Sequence, residues 1–275
     1  MSESGHPAPG VVAPALPTRA APPARLGALL GAFALDLLLA FVLLLAAAIV
    51  LGLAWFLLTA AGSAPVQPGG AQAPAAAGAD PMSILVTLLG MAAAALGLYF
   101  LRQPASADER RWSRAALGQA STWAWIAMVT AAVLLGNFLV GQVMSRLGVE
   151  PVPTNLALVD EAITRWPLLL VLVVVVLAPM YEELLFRRVL FGRFLRGGWP
   201  WLGLVLSSLA FALVHEVPGL SDNPPAAVLQ LWLSYAGMGA AFACLYWRTG
   251  TLWAPILAHG LNNGLALALH VSGAA

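Results

Sequence analysis

The sequence predicts an all-α, polytopic transmembrane helix bundle with about seven spans. Of its 275 residues, 61% are hydrophobic and only 9% are charged, whereas soluble domains carry roughly 25% charged residues. A fold of this size cannot hide so much apolar surface from water. Several uncharged stretches are also long enough to cross a hydrocarbon core of about 30 Å. We therefore expect the bilayer to be the solvent for most of the chain.

The N-terminal part begins with a tail rich in Pro and Ala and continues into one long apolar helix. Residues 1–25 contain six prolines and lack the order of a signal peptide, so we expect a disordered tail. Residues 26–60 are apolar apart from Asp36. As a helix this stretch would be about 50 Å long, which exceeds the hydrocarbon core of about 30 Å. One end of the helix therefore extends beyond the core, and Asp36 is interpreted as a packing or interface residue. A loop rich in Pro, Gly and Ala follows at 62–81.

Six further apolar stretches complete the predicted bundle. We divide the chain into an N-terminal region of three spans, residues 26–160, and a core of four spans, residues 161–275. The spans after the first are predicted at 84–101, 120–144, 168–185, 199–217, 226–246 and 252–270.

The arginines predict the orientation, because cytoplasmic loops carry an excess of basic residues. The loops at 62–81 and 217–225 contain no arginine, and the loop at 146–165 contains Arg146 and Arg165. We therefore expect a multi-pass protein of the cell membrane with its N-terminus in the cytoplasm. The arginines on the predicted cytoplasmic side are Arg19, Arg25, Arg102, Arg110, Arg111, Arg114, Arg187, Arg188, Arg193, Arg196 and Arg248.

The charge and the cysteine content argue against two features, a nucleic-acid-binding surface and an intrachain disulfide. The formal net charge is only +1, so no basic field indicates a nucleic-acid partner. The single cysteine, Cys244, excludes an intrachain disulfide.

Polar side chains inside three late spans are the candidate functional residues, since a charge at the bilayer centre costs about 2.5–3.5 kcal/mol. In span four, Glu183 and Arg187 are four residues apart and can pair, which leaves Glu182 on another face of the helix. In span seven, His259 and Asn263 share one helical stripe.

Depth in the bilayer decides whether these residues can meet. If span four leaves the membrane at Arg193–Arg196, Glu182 lies about 16–21 Å deep and Arg187 is buried. His215 in span five then lies about 21 Å deep and His259 about 12–16 Å deep. Taken alone, each group has a structural interpretation: an interfacial flank, a hydrogen-bonded core histidine or an amide between helices. Their co-occurrence favours a site.

Three motifs in this order resemble the CPBP (Abi) intramembrane proteases, a family that includes the type II CAAX prenyl endopeptidases. The resemblance covers roughly residues 166–270. The motifs read Glu182-Glu183-x-x-x-Arg187, Phe211-x-x-x-His215 and His259-x-x-x-Asn263.

The resemblance implies hydrolysis of a peptide bond in a membrane-embedded or lipid-anchored peptide or protein. It implies that Glu182 and His215 handle the water and that His259 and Asn263 complete the site. The residue chemistry agrees, because a carboxylate and an imidazole serve as general bases and an amide can stabilise an oxyanion. Glu183, Arg187 and Phe211 are expected to support the site, Phe211 as a wall.

Metal use and function class stay open at this point. Glu182, His215 and His259 form a known type of catalytic zinc set, so a zinc-bound site and a metal-free site are both possible. The same polar residues could serve as the relay of a proton-coupled or metal-ion transporter, or stand in a non-catalytic membrane scaffold. The absence of visible inverted repeats weighs weakly against a transporter.

Overall fold

The computed structural model describes residues 24–62 and 81–273, and every regular element in these two segments is a helix. The predicted loop at 62–81 lies outside the described residues almost entirely, and so does the predicted tail apart from Ala24 and Arg25. The helices are α1 (Leu26–Gly62), α2 (Pro81–Arg102), α3 (Ala107–Leu117), α4 (Ala120–Arg146), α5 (Leu156–Arg165), α6 (Pro167–Arg196), α7 (Pro200–His215), α8 (Pro225–Thr249) and α9 (Trp253–Ser272).

Each of the seven predicted spans coincides with one of these helices. In the described part of the chain, α1, α2, α4, α6 and α8 are long and apolar enough to cross a membrane. Helix α7 is apolar but has only 16 residues. Helix α9 has 20 residues, and its hydropathy is lowered by His259, Asn262 and Asn263. The chain is a polytopic helical membrane protein.

Two surface helices lie where the sequence suggested only loops. Helix α3 begins with a capping box, in which the Ser106 hydroxyl accepts from the Glu109 N–H and the Glu109 carboxylate accepts from the Ser106 N–H. Helix α5 ends at Arg165, next to the proline that starts α6. Neither crosses the bundle, and none of the residues of α3 is buried.

Asp36, which the sequence indicated as a packing or interface residue, is packed between three helices. Asp36 is fully buried, and its carboxylate accepts from Arg102 Nε at 2.7 Å and from Arg193 Nε at 2.8 Å. Because the three residues come from α1, α2 and α6, this ionic cluster joins the first two helices to the core. A lone acid in a long apolar helix is stable in a membrane when such partners surround it.

Helix α6 lies at the centre of the bundle and contacts α2, α7, α8 and α9. Its C-terminal half is buried against them through Phe186, Val189, Leu190 and Phe194. This half follows directly after the two glutamates. The packing therefore fixes the position of the candidate site relative to these four neighbouring helices.

Candidate active site

One carboxylate and two imidazoles from three different helices converge. Glu182 Oε2 of α6 lies 3.6 Å from His215 Nε2 of α7 and 3.8 Å from His259 Nε2 of α9. All three side chains line a cavity of about 330 Å³, together with Tyr235 and Asn263. The depth argument from the sequence predicted that these three residues could meet.

Each imidazole is oriented through its other ring nitrogen. His215 Nδ1 lies 2.8 Å from the carbonyl oxygen of Phe211, which can only accept, so Nδ1 is the donor. His259 Nδ1 lies 2.9 Å from Glu183 Oε1 and donates to that carboxylate. In the neutral form of each ring, Nε2 therefore carries a lone pair, and this lone pair faces the region around Glu182.

The convergent atoms are consequently all acceptors. Glu182 Oε2 is buried and has no hydrogen-bond partner in the part of the chain that the structure describes. Buried polar atoms normally have a partner. A proton, a water molecule or a cation between Glu182 and the two imidazoles would supply the missing donor, so the arrangement suits a site that holds and activates water.

The second glutamate is engaged in the protein. Glu183 and Arg187 are both buried, and Arg187 Nε lies 2.9 Å from Glu183 Oε2 as an ion pair without the alignment of a hydrogen bond. The Arg187 guanidinium also lies over the rings of Phe211 and Phe242, at 4.7 and 5.6 Å from their centroids. Such cation–π contacts partly replace lost hydration. Glu183 thus joins Arg187 to His259.

The predicted wall residue, Phe211, contacts both sides of the site. Its ring lies 4.2 Å from the His215 ring and 5.1 Å from the Phe186 ring, centroid to centroid. It is fully buried. Phe211 therefore contacts both the Arg187 guanidinium and the His215 imidazole.

A proline in α6 explains how Asn263 is positioned. Residues 172–177 form wide π-helical turns, in which the Ala178 N–H bonds the Val173 carbonyl five residues back. The next residue, Pro179, has no N–H, so the Val174 carbonyl lacks a helical partner. Asn263 Nδ2 donates to this carbonyl at 3.0 Å. In the described part of the chain the Asn263 side chain forms no other hydrogen bond, and it lines the cavity.

Gly260 permits the close contact between α9 and this part of α6. A Cβ atom on Gly260 would lie 2.5 Å from the Val175 carbonyl oxygen, which no side chain allows. The small residue therefore lets His259 and Asn263 approach α6. No local sequence pattern connects Pro179 with the Asn263 amide, because the two residues lie in different helices.

Sequence reasoning missed two aromatic residues of α8. The Tyr235 ring lies 4.6 Å from the His215 ring, and the Phe242 ring is stacked on His259 at 5.0 Å. Both belong to a span in which no polar motif draws attention. Helix α5 was also missed as part of the site, although its residues Leu156 and Val159 line the cavity.

The donor types suit zinc, but their spacing is wider than zinc requires. Ligand atoms of a tetrahedral zinc lie about 3.4 Å apart, against 3.6 and 3.8 Å between Glu182 and the two imidazoles. Within residues 24–62 and 81–273, no group of three His, Cys, Asp or Glu side chains is arranged to hold a metal ion. These residues, as they are placed, do not form a three-ligand zinc site.

Comparison with known proteins identifies the segment that carries these residues. Residues 164–265 match the model of a family described as type II CAAX prenyl endopeptidase Rce1-like. The predicted family resemblance is confirmed. The matched segment contains all three motifs and begins just before α6.

Two curated relatives match parts of the chain. A Bacillus subtilis protein named "Putative membrane peptidase YdiL" is 34% identical over 34% of this chain and 34% of its own length. An Escherichia coli protein named "Uncharacterized 24.3 kDa protein" is 32% identical over 49% of this chain and 58% of its own length. The chain thus spans about a third and somewhat over half of the lengths of these two relatives. No solved structure matches the chain.

Proposed function

We propose that the chain is an intramembrane endopeptidase that hydrolyses a peptide bond of a membrane-embedded or lipid-anchored substrate. One observation carries the proposal: the buried, unpartnered Glu182 oxygen lies between His215 and His259 at a cavity inside a helical membrane bundle. The Rce1-like resemblance supports the same reaction.

In the proposed reaction, a water molecule lies between Glu182 Oε2 and His215 Nε2. The carboxylate accepts one proton as the water oxygen attacks the carbonyl carbon of the substrate. Asn263 contributes its free N–H to the developing oxyanion. The proton held by Glu182 then passes to the amide nitrogen, the C–N bond breaks, and the products are a carboxylic acid and an amine.

The balance of buried charges indicates where a proton is held at the site before the reaction. Glu182 and Glu183 carry two negative charges against the single positive charge of Arg187. One proton on His215 or His259 would cancel the remainder, supply the donor that the three acceptors lack and leave the Glu182 carboxylate free to accept a proton from water. In this proposal Glu183 holds His259 so that a proton on its Nε2 faces the reacting oxygen, as a carboxylate does for other catalytic imidazoles.

The direct test is cleavage of membrane peptides by the purified full chain in proteoliposomes. We expect new peptide termini to appear with the parent protein and to disappear with Glu182→Gln, whose side chain has the same shape. The alternative, a proton-coupled or metal-ion transporter, instead predicts solute or ion uptake without cleavage. A folded parent protein that gives neither result would support the non-catalytic scaffold.

A zinc-bound version of the site makes a separate prediction. If Glu182, His215 and His259 close around zinc, elemental analysis should find about one zinc per chain, and the His215→Ala/His259→Ala variant should lose it. Removal of the metal should then also abolish cleavage. Full cleavage by metal-free protein would leave only the version in which the carboxylate activates water.

We also propose seven spans with a cytoplasmic N-terminus in the cell membrane. The arginine distribution supports this orientation, and α7 and α9 would be the two spans beyond the five long apolar helices. Cysteine labelling of loop positions in intact cells tests it. Labelling in the loop between α4 and α5, without labelling between α2 and α3, is the expected result.

A further inference from the structure

A second cavity lies against a different face of α6 from the candidate active site, at Tyr181, Leu184 and Arg188. It has a volume of about 480 Å³ and is formed where α2, α3, α6, α8 and α9 meet. It shares no lining residue with the catalytic cavity. Its walls include the apolar side chains of Leu96, Leu184 and Ile256, while its rim is formed by α3.

The rim carries two positive charges that no acid compensates. Arg188 binds the Glu109 carboxylate at 2.8 and 3.0 Å, so this pair is neutral. Arg110 and Arg114 also line the cavity, yet their recorded hydrogen bonds go only to the backbone carbonyls of Ala105 and Arg110. In the described segments, neither arginine forms an ion pair with a carboxylate.

This combination fits a molecule with an anionic head and a hydrocarbon tail. Helix α3 lies at the ends of α2 and α4, and its Trp112 is 49% exposed and lines the same cavity. Tryptophan and arginine on a short amphipathic helix are typical of a membrane–water boundary. Basic pockets between transmembrane helices bind anionic lipid headgroups. A peptide would instead bring unpaired backbone groups against the apolar walls, which is costly.

We propose that this cavity binds an anionic phospholipid, with the phosphate at Arg110 and Arg114 and an acyl chain against Leu96, Leu184 and Ile256. The site is independent of the proposed peptidase activity. The lipid would lie near the C-terminal end of α6. At the same end, Arg188 binds Glu109 of α3 and Arg193 binds Asp36 of α1.

The test measures how lipid changes the melting temperature of the purified full chain in detergent, since a ligand that binds only the folded state stabilises it by RT ln(1 + [L]/Kd). Phosphatidylglycerol should raise the melting temperature at low concentration, and phosphatidylcholine should not. Each arginine near an anionic lipid contributes about 1 kcal/mol, so Arg110→Gln/Arg114→Gln should need about 30-fold more phosphatidylglycerol.

The matched control removes the same charge elsewhere. Arg111 lies on the same helix, pairs with Asp108 and does not line the cavity, while Arg146 is an exposed arginine at the end of α4. The variant Arg111→Gln/Arg146→Gln should respond to phosphatidylglycerol like the parent. An equal loss in both double variants would mean general surface attraction and would overturn the proposal.

Two further measurements distinguish the binding of a lipid from the binding of a free anion. Leu96→Trp fills the apolar part and keeps both arginines, so it should weaken the response to phosphatidylglycerol while melting cooperatively without lipid. Inorganic phosphate should stabilise the parent far less than phosphatidylglycerol does. Equal stabilisation by inorganic phosphate, or an unchanged response in Leu96→Trp, would show that no acyl chain occupies the cavity and would reject the proposed site.

Discussion

Two buried ionic clusters in this protein both combine carboxylates with arginine but differ in how completely the carboxylates are paired. Around Asp36, each carboxylate oxygen accepts from an arginine. At the candidate active site, Glu183 is paired with Arg187 and His259, while Glu182 Oε2 next to it has no hydrogen-bond partner in the described chain. Burial of charge alone therefore does not indicate catalysis. What distinguishes the candidate site is that the unpartnered oxygen of Glu182 faces two imidazoles at a cavity.

The largest expected effect is the loss of peptide cleavage when the unpartnered carboxylate of Glu182 is replaced. Glu182→Gln keeps the side-chain shape and removes the base, so peptide cleavage should fall at least about 10²-fold, the usual scale of general-base catalysis. The melting temperature should stay near that of the parent, because Glu182 Oε2 has no hydrogen-bond partner in the described chain that the substitution would remove. Near-normal cleavage by the folded variant would contradict the assignment of Glu182 as the catalytic base.

The next effect is on stability at the paired half of the site. Arg187→Ala leaves Glu183 buried beside His259 without its cation, and such a loss costs about 3–5 kcal/mol. Thermal melting in detergent and expression yield should both fall. Arg187 is 1% exposed, so water cannot replace it readily.

A double-mutant cycle tests whether the two charges act as a unit. Replacement of both Glu183 and Arg187 by apolar residues should recover much of the stability that Arg187→Ala loses, because the desolvation cost disappears with the second charge. A coupling near zero would mean that the cation–π contacts with Phe211 and Phe242, rather than Glu183, stabilise Arg187.

The Asp36 cluster should give a smaller effect and leave the chemistry intact. Asp36→Asn weakens its bonds to Arg102 and Arg193, whose side chains are 28% and 15% exposed and can reach water. We expect a loss of about 1.5–3 kcal/mol, the range for hydrogen bonds to charged groups. Cleavage per folded molecule should not change. A large loss of activity at unchanged stability would show that this cluster acts on the site.

Contacts within one helix could be predicted from the sequence. Spacing of four residues predicted the Glu183–Arg187 pair and the common face of His259 and Asn263, because helical geometry is local. The three motifs likewise predicted which side chains could meet at one depth. These predictions needed only the period and rise of a helix.

Contacts between distant helices could not be predicted in this way. The partners of Asp36 lie 66 and 157 residues further along the chain, and no local pattern connects them. Tyr235 and Phe242 were missed for the same reason, since a ring in an apolar span looks like any core residue. Helix α3 was predictable in principle, because Ser106-x-x-Glu109 is a capping-box pattern.

The smallest expected effect concerns the pair at the surface helix. The hydrogen bonds from Arg188 lower the pKa of Glu109 from its ordinary 4.5 to about 2. A carboxylate whose pKa is lower in the folded state stabilises the fold fully above 4.5, and this contribution disappears as the pH falls from there toward about 2. Because Glu109 is 37% exposed, its pair with Arg188 is worth at most about 1 kcal/mol. The difference in melting temperature between the parent and Glu109→Gln should therefore be small and constant at neutral pH, and it should shrink below pH 4.5.

A difference that grows on acidification would mean that Glu109 is held neutral in the folded protein. The pair would then be unable to offset Arg188, and the rim of the second cavity would carry three positive charges instead of two.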